Sequence, residues 1–214
     1  MKKIITIILT FGVALIAASQ NGDTAKKLLD EVSDQMSAYQ NVYVEFDYKL
    51  ENKAENVTQE TKGDATLQGD KYLVHFFGST QIFDGSKTYT IIPENEEVNI
   101  SPADVESINT ITPAKFYSFY KSGYTFGMGD SKNVGDKNIQ FVKLTPIDSN
   151  SEVSLVVVGI DTKSKNIDTI KQIGENGTET VLLVKNLKTN QNLKNDLFSF
   201  DLKKYEDLGY IINE

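Results

Sequence analysis

His75 is the only histidine in the chain, so general acid–base chemistry near neutral pH would have to start there. It lies between Val74 and Phe76, inside a run from Lys71 to Phe77 that reads as β-strand and serves packing as readily as catalysis. The carboxylates that could assist it are scattered: Glu94, Glu96 and Glu97 bunch near one turn, while Asp161 and Asp168 flank another turn and a strand. Paired acid and base work needs two such groups a few ångströms apart, and turn carboxylates of this kind read as solvated. Ser154 falls on a strand, with no GxSxG elbow and no Ser-His-Asp order around it. There is no HExxH, no histidine cluster and no Gly-rich phosphate loop, and Asp84-Gly85 lacks the spacing of an EF-hand. The absence of cysteine excludes disulfides, thiolate metal sites and thiol nucleophiles. The residues therefore predict a protein that is not an enzyme, with no catalytic residues, no metal and no cofactor.

The elements that would have to position any site are mostly strands. From Gln40 to Leu50 the residues Val42, Val44, Phe46, Tyr48 and Leu50 alternate with Tyr43, Glu45, Asp47 and Lys49, which puts an almost wholly apolar face opposite a polar one. Such a strand needs partners on both edges and something against its apolar face: a core, a second sheet or a ligand. The pattern recurs with short turns between: weak alternation over 57–68 with Gly63, Ala65 and Leu67 on one side, then Lys71 to Phe77, Gln81 to Phe83, Lys87 to Ile92 and Glu96 to Ile100. After a break come Tyr124 to Met128, Asn138 to Thr145, Glu152 to Asp161, Asn166 to Ile173 and Glu179 to Leu187. A docking segment at Leu197-Phe198-Ser199-Phe200 and a closing apolar stretch from Leu208 to Ile212 follow. The segment VSLVVVGI is apolar on both faces and should be well buried.

Helical patterns are few. Asp23 or Thr24 can cap a helix to about Tyr39, whose Ala25, Leu28, Leu29, Val32, Met36 and Tyr39 form one apolar stripe suited to lying on a sheet. Ser101-Pro102 and Thr112-Pro113 each carry the signature of a short helix start. The second is rich in rings, with Phe116, Phe119 and Tyr120 on a common face and Tyr117 beside them, which suits either an ordinary core or a helix covering a cavity.

The first twenty residues have their own logic. Lys2 and Lys3 precede an apolar run from Ile4 to Ala18 and a small-residue stretch, Ala17-Ala18-Ser19, so residues 1–19 read as a signal peptide cleaved before about Gln20. The apolar part is shorter than the ~20 residues a membrane-spanning helix needs. With no cysteine after it, a lipid-anchored N-terminus is excluded, and a single exported, soluble domain over residues 20–214 is expected. Removing the two lysines leaves 20 basic residues against 30 acidic ones, a formal charge of −10, with no arginine at all. Such a surface repels phosphate backbones, so no nucleic-acid partner is expected.

The amphipathic helix ending in NVYVEFDYKL, the Gly63-x-Ala65-x-Leu67-x-Gly69-Asp70-Lys71-Tyr72 stretch and the Phe83-to-Tyr89 turn stand in a fixed order with Pro93 to Val98 (PENEEV), the proline-introduced helix and the closing Leu197-Phe198-Ser199-Phe200. In that order and spacing the chain, from about residue 23 to 213, resembles the LolA-like outer-membrane lipoprotein carriers in their divergent Bacteroidetes-type branch. The resemblance implies a mainly β fold: an open, strongly curved antiparallel β-barrel of about eleven strands covered by about three helices. It also implies a monomer that holds the acyl chains of lipoproteins in an apolar cavity. The family's partners would be an inner-membrane lipoprotein-release ABC transporter as donor and an outer-membrane acceptor. Carried onto this chain, the lipid-binding cavity wall would be Val44, Phe46, Tyr48, Leu67, Tyr72, Val74, Phe76, Tyr89 and Ile91, facing a lid of Phe116, Phe119 and Tyr120. The family's well-studied members hold the lid with an arginine on an early strand, and no residue here inherits that role. Two other readings remain: a carrier or sensor of another lipid or apolar ligand, and a structural or interaction domain with a filled core.

Overall fold

The computed structural model describes residues 21–102 and 116–214. Its strands are β1 (Val42–Asn52), β2 (Val57–Gln68), β3 (Lys71–Phe76), β4 (Ser79–Phe83), β5 (Lys87–Ile92), β6 (Glu97–Pro102), β7 (Tyr124–Val134), β8 (Lys137–Pro146), β9 (Val153–Asp161), β10 (Ile167–Gly174), β11 (Glu179–Thr189) and β12 (Ile211–Asn213). Helix α1 occupies 21–37 and α2 spans Leu202–Asp207. The protein is thus mainly β, as expected, but with twelve strands rather than eleven and two α-helices among the described residues rather than three. The chain forms two compact units. Of the described residues, the first holds 21–35, Glu51–Val57 and Tyr120–Val181; the second holds Met36–Leu50, 58–102, 116–119 and Leu182–Glu214.

In the first unit the strand order is β11-β10-β9-β8-β7, with β11 represented by its first residues. The pairs β7·β8, β8·β9 and β9·β10 are antiparallel, and the register sets Val142 beside Val158 and Val158 beside Ile170. Alternation then does the rest: Val142, Leu144, Val156 and Val158 are all at 1% exposure or less. Helix α1 belongs to this unit through Gln35, and its stripe of Ala25, Leu29 and Val32 is buried. It is pinned at both ends. The Asn21 side chain accepts a hydrogen bond from the Met128 N–H of β7, and the Gln35 amide donates to the Ser164 carbonyl at 2.8 Å in the β9–β10 turn. Burying an aliphatic side chain fully is worth about 1.5–3 kcal/mol, so this stripe, not helix propensity, holds α1 in place.

In the second unit the order is β12-β6-β5-β4-β3-β2-β1-β11. The pairs from β2·β3 to β5·β6 are antiparallel, whereas β12 runs parallel to β6, with Ile212 beside Val98. The sheet is therefore not wholly antiparallel, because Ile211–Asn213 return along β6 after α2 instead of entering through a hairpin. Helix α2 starts where the Asp201 carboxylate accepts the Lys204 N–H at 3.2 Å. Neither α2 nor β12 is legible in the sequence, where Leu202–Asp207 carries too little apolar periodicity to stand out.

Of the first proline-introduced helix only the start falls on described residues; the rest, with Asp104, lies outside them. Ser101 and Pro102 end β6, opposite Thr88 and Lys87, because the strand continues along the full length of β5 and proline is tolerated at a strand end. Thr112-Pro113 lies outside the described residues, as does the segment read as a signal peptide. Beyond it, Phe116–Ser118 form a turn and Phe119–Lys121 a single 3-10 turn. Among the described residues no helix is long and apolar enough to cross a membrane.

Candidate functional site

The apolar face of β1 lies in the second unit, and the hairpin registers decide which residues share it. Ala65 pairs with Val74 and Leu67 with Tyr72 across β2·β3, and Tyr72 pairs with Phe83 across β3·β4. Val44, Ala65, Leu67 and Tyr72 form a buried cluster, and Val74, Phe83, Tyr117 and Val184, partly buried themselves, pack against it. Tyr72 and Phe83 stack with ring centres 5.4 Å apart. Further along the same strand faces, Phe76 meets Phe46 at 5.5 Å and Tyr48 at 5.0 Å. Room for the Phe46 ring comes from Gly63, where a Cβ would stand 2.5 Å from the Phe46 ring tip.

Of the residues assigned to a cavity wall, the structure joins Val44, Leu67, Tyr72 and Val74 in one cluster and Phe46, Tyr48 and Phe76 in the adjoining aromatic group. Tyr89 and Ile91 go elsewhere. They pack with Ile82, Val98 and Leu73, and Phe200 stacks on Tyr89 at 4.4 Å. The register explains the separation, since Val74 pairs with Gln81 and Gln81 with Thr90, so Tyr89 and Ile91 point to the opposite side from Val74. Counting residues across the two tight turns, Phe77-Gly78 and Asp84 to Ser86, would have shown this from the sequence.

The residues assigned to a lid are divided. Phe116 sets its edge against Tyr117 at 5.1 Å, and it is Tyr117, not Phe116, that reaches the Val44 cluster. Phe119 opens the 3-10 turn. Tyr120 belongs to the first unit, where its hydroxyl donates to Asp30 at 2.9 Å and its ring lies edge-on to Phe126 at 6.4 Å. Burial and this bond raise the Tyr120 phenol above the ordinary tyrosine range. Asp30 is lowered, chiefly by its hydrogen bond from Lys26 at 2.7 Å. Sequence reasoning missed Phe83 and Val184 as members of the face: Val184 sits in a strand whose pairing with β1 spans more than 130 positions of sequence.

On the polar side of β1 a cleft of about 570 Å³ opens beside the β3–β4 turn. His75 lies there, its Nδ1 2.9 Å from Asp64, and the Tyr43 hydroxyl donates to Glu45 at 2.9 Å. Burial and that carboxylate push the Tyr43 phenol up to about 12. The Ser79 hydroxyl on the same rim donates to the Phe76 carbonyl at 2.7 Å, so it serves the turn and not a nucleophilic role beside the imidazole. Phe77 sits at the tip in the left-handed region (φ +49), followed by Gly78 (φ +72), and its half-exposed ring is held edge-on by Phe76 at 4.4 Å. Among the described residues no three His, Cys, Asp or Glu side chains converge to hold a metal ion.

The fold is mainly β, with a buried apolar cluster on the β1–β3 face flanked by partly buried apolar side chains. Residues 15–176 match the family model described as outer membrane lipoprotein carrier protein LolA, and the chain belongs to that family. No curated protein matches the sequence. Among solved structures, an uncharacterised conserved protein from Thermus thermophilus aligns with a TM-score of 0.55 at 11% identity, covering 88% of this chain and 98% of that one. A LolA superfamily protein from Nitrosomonas europaea aligns at 0.43 and 10% identity, over 83% of this chain and 98% of that one. A putative outer membrane lipoprotein-sorting protein domain from Vibrio parahaemolyticus aligns at 0.42 and 14% identity, over 82% and 97%.

Proposed function

We propose that this protein is a periplasmic carrier that binds the acyl chains of lipoproteins and delivers them to the outer membrane, without covalent chemistry. The observation that carries the reading is the apolar cluster of Val44, Ala65, Leu67 and Tyr72, flanked by the partly buried Val74, Phe83, Tyr117 and Val184, in a chain of the LolA carrier family. Each methylene removed from water is worth about 0.8 kcal/mol, so an acyl chain crosses an aqueous compartment only if a protein buries it. Handing it on requires that the loaded state be only slightly favoured. In this reading the signal peptide directs export, a lipoprotein-release transporter in the inner membrane is the donor, and an outer-membrane protein is the acceptor.

The test is mass spectrometry of what co-purifies with the protein from its native periplasm. Intact triacylated lipoproteins are expected, and replacing Val74 with Glu at the edge of the face should lower their recovery by an order of magnitude. Recovery of free lipid alone, or of nothing, overturns the lipoprotein reading.

A further inference from the structure

Tyr117 carries the one buried side-chain polar atom among the described residues that has no hydrogen-bond partner, its phenolic oxygen. The ring rests on the Val44, Ala65, Leu67 and Tyr72 cluster and is locked edge-on by Phe116 at 5.1 Å. Leaving a hydroxyl buried and unpaired is unfavourable, and phenylalanine at this position would fill the same space without that penalty. Desolvation raises the phenol above the ordinary tyrosine range, so it remains a neutral O–H donor at every physiological pH. A donor without an acceptor, set against an apolar surface, suits a ligand with one acceptor at the end of an apolar body. An ester carbonyl meets that description. An amide carries an N–H that would need an acceptor of its own, which an ester does not.

We infer that the Tyr117 hydroxyl donates a hydrogen bond to the ester carbonyl of an acyl chain lying on the Val44–Tyr72 face, and so fixes how deep the chain sits. The inference rests on the carrier reading and adds the ester as the group recognised. Tyr117 is then a specificity residue: it distinguishes an acyl ester from a bare hydrocarbon of the same length.

The experiment uses the whole protein with two probes, methyl laurate labelled with carbon-13 at the carbonyl and n-tetradecane, each titrated against a bound fluorescent naphthylamine. The infrared carbonyl stretch of the bound ester is recorded in parallel. The unmodified protein should bind both probes and show a carbonyl band shifted to low frequency. Tyr117→Phe should remove that shift and weaken methyl laurate about 3- to 10-fold, with tetradecane unchanged. The free Tyr117→Phe protein should melt at the same temperature or higher. An unshifted carbonyl in the unmodified protein, equal losses for both probes, or a lower melting temperature of the free variant would each overturn the inference. The last result would mean that the hydroxyl already has a partner within the chain. Failure of the unmodified protein to bind either probe would bring down the carrier reading as well, whereas binding of both without an ester-specific effect sinks the Tyr117 role alone.

Discussion

At Gly63 the absence of a side chain is what the aromatic group needs. A Cβ would stand 2.5 Å from Phe46 Cζ and 2.8 Å from the His75 carbonyl oxygen. The ring could turn aside but the backbone oxygen could not, so Gly63→Ala should destabilise the fold by about 1–3 kcal/mol, measured by urea unfolding. Combining it with Phe46→Leu should recover only part of that loss, because the clash with the carbonyl persists. Asp161 offers a test in pH. Its carboxylate accepts the Ser164 hydroxyl at 2.6 Å and the Lys163 N–H at 3.2 Å, and these bonds, the Ser164 one foremost, hold it below its ordinary value of 3.8. A carboxylate with a lowered folded pKa stabilises the native state above its unfolded value, and that contribution disappears as pH falls through the folded value. Asp161→Asn should therefore be less stable than the parent by about 1 kcal/mol at pH 7. The gap should close below about pH 4; if it stays constant down to pH 2, the linkage is absent.

Among the elements, the C-terminal segment does more than its sequence suggests. Phe200 is sandwiched between Tyr89 at 4.4 Å and Tyr205 at 5.2 Å, and Tyr210 meets Tyr205 edge-on, so a stack of rings covers Ile82, Ile91 and Val98. The three residues of β12 then pair with the edge of β6, and the Asn213 amide donates to Glu97 at 2.6 Å. Phe200→Ala should cost about 2–4 kcal/mol, since it removes a ring packed on both faces. Deleting 209–214 should leave β6 as an unprotected edge, with faster amide exchange in Glu97–Pro102 and little change in β8 and β9. Uniform acceleration throughout the chain would show instead that the tail is needed for the fold as a whole.

At the scale of the molecule, what could be read in advance was whatever depends on neighbours in sequence. Strand patterning placed ten strands to within a few residues, while β7 runs six residues past the expected Met128 to Val134, and the three- and four-residue spacing from Ala25 to Met36 placed α1. The order of weak motifs pointed to the carrier family, which the match over residues 15–176 bears out. The apolar character of each strand face was equally local, which is why Val44, Leu67, Tyr72 and Val74 were named together. Which faces join was not local. Tyr89 and Ile91 are as apolar as Val74, but the registers through Gln81 and Thr90 turn them to the other side, where Phe200 covers them. The same holds for Val184, brought to Val44 by a pairing between distant strands, and for β12, too short to signal itself until β6 offers it an edge. Tyr117 shows the division most plainly. Its sequence neighbours made it one ring among four, and only packing made its hydroxyl a buried donor without an acceptor, because hydrogen-bond satisfaction is a property of what surrounds an atom in space.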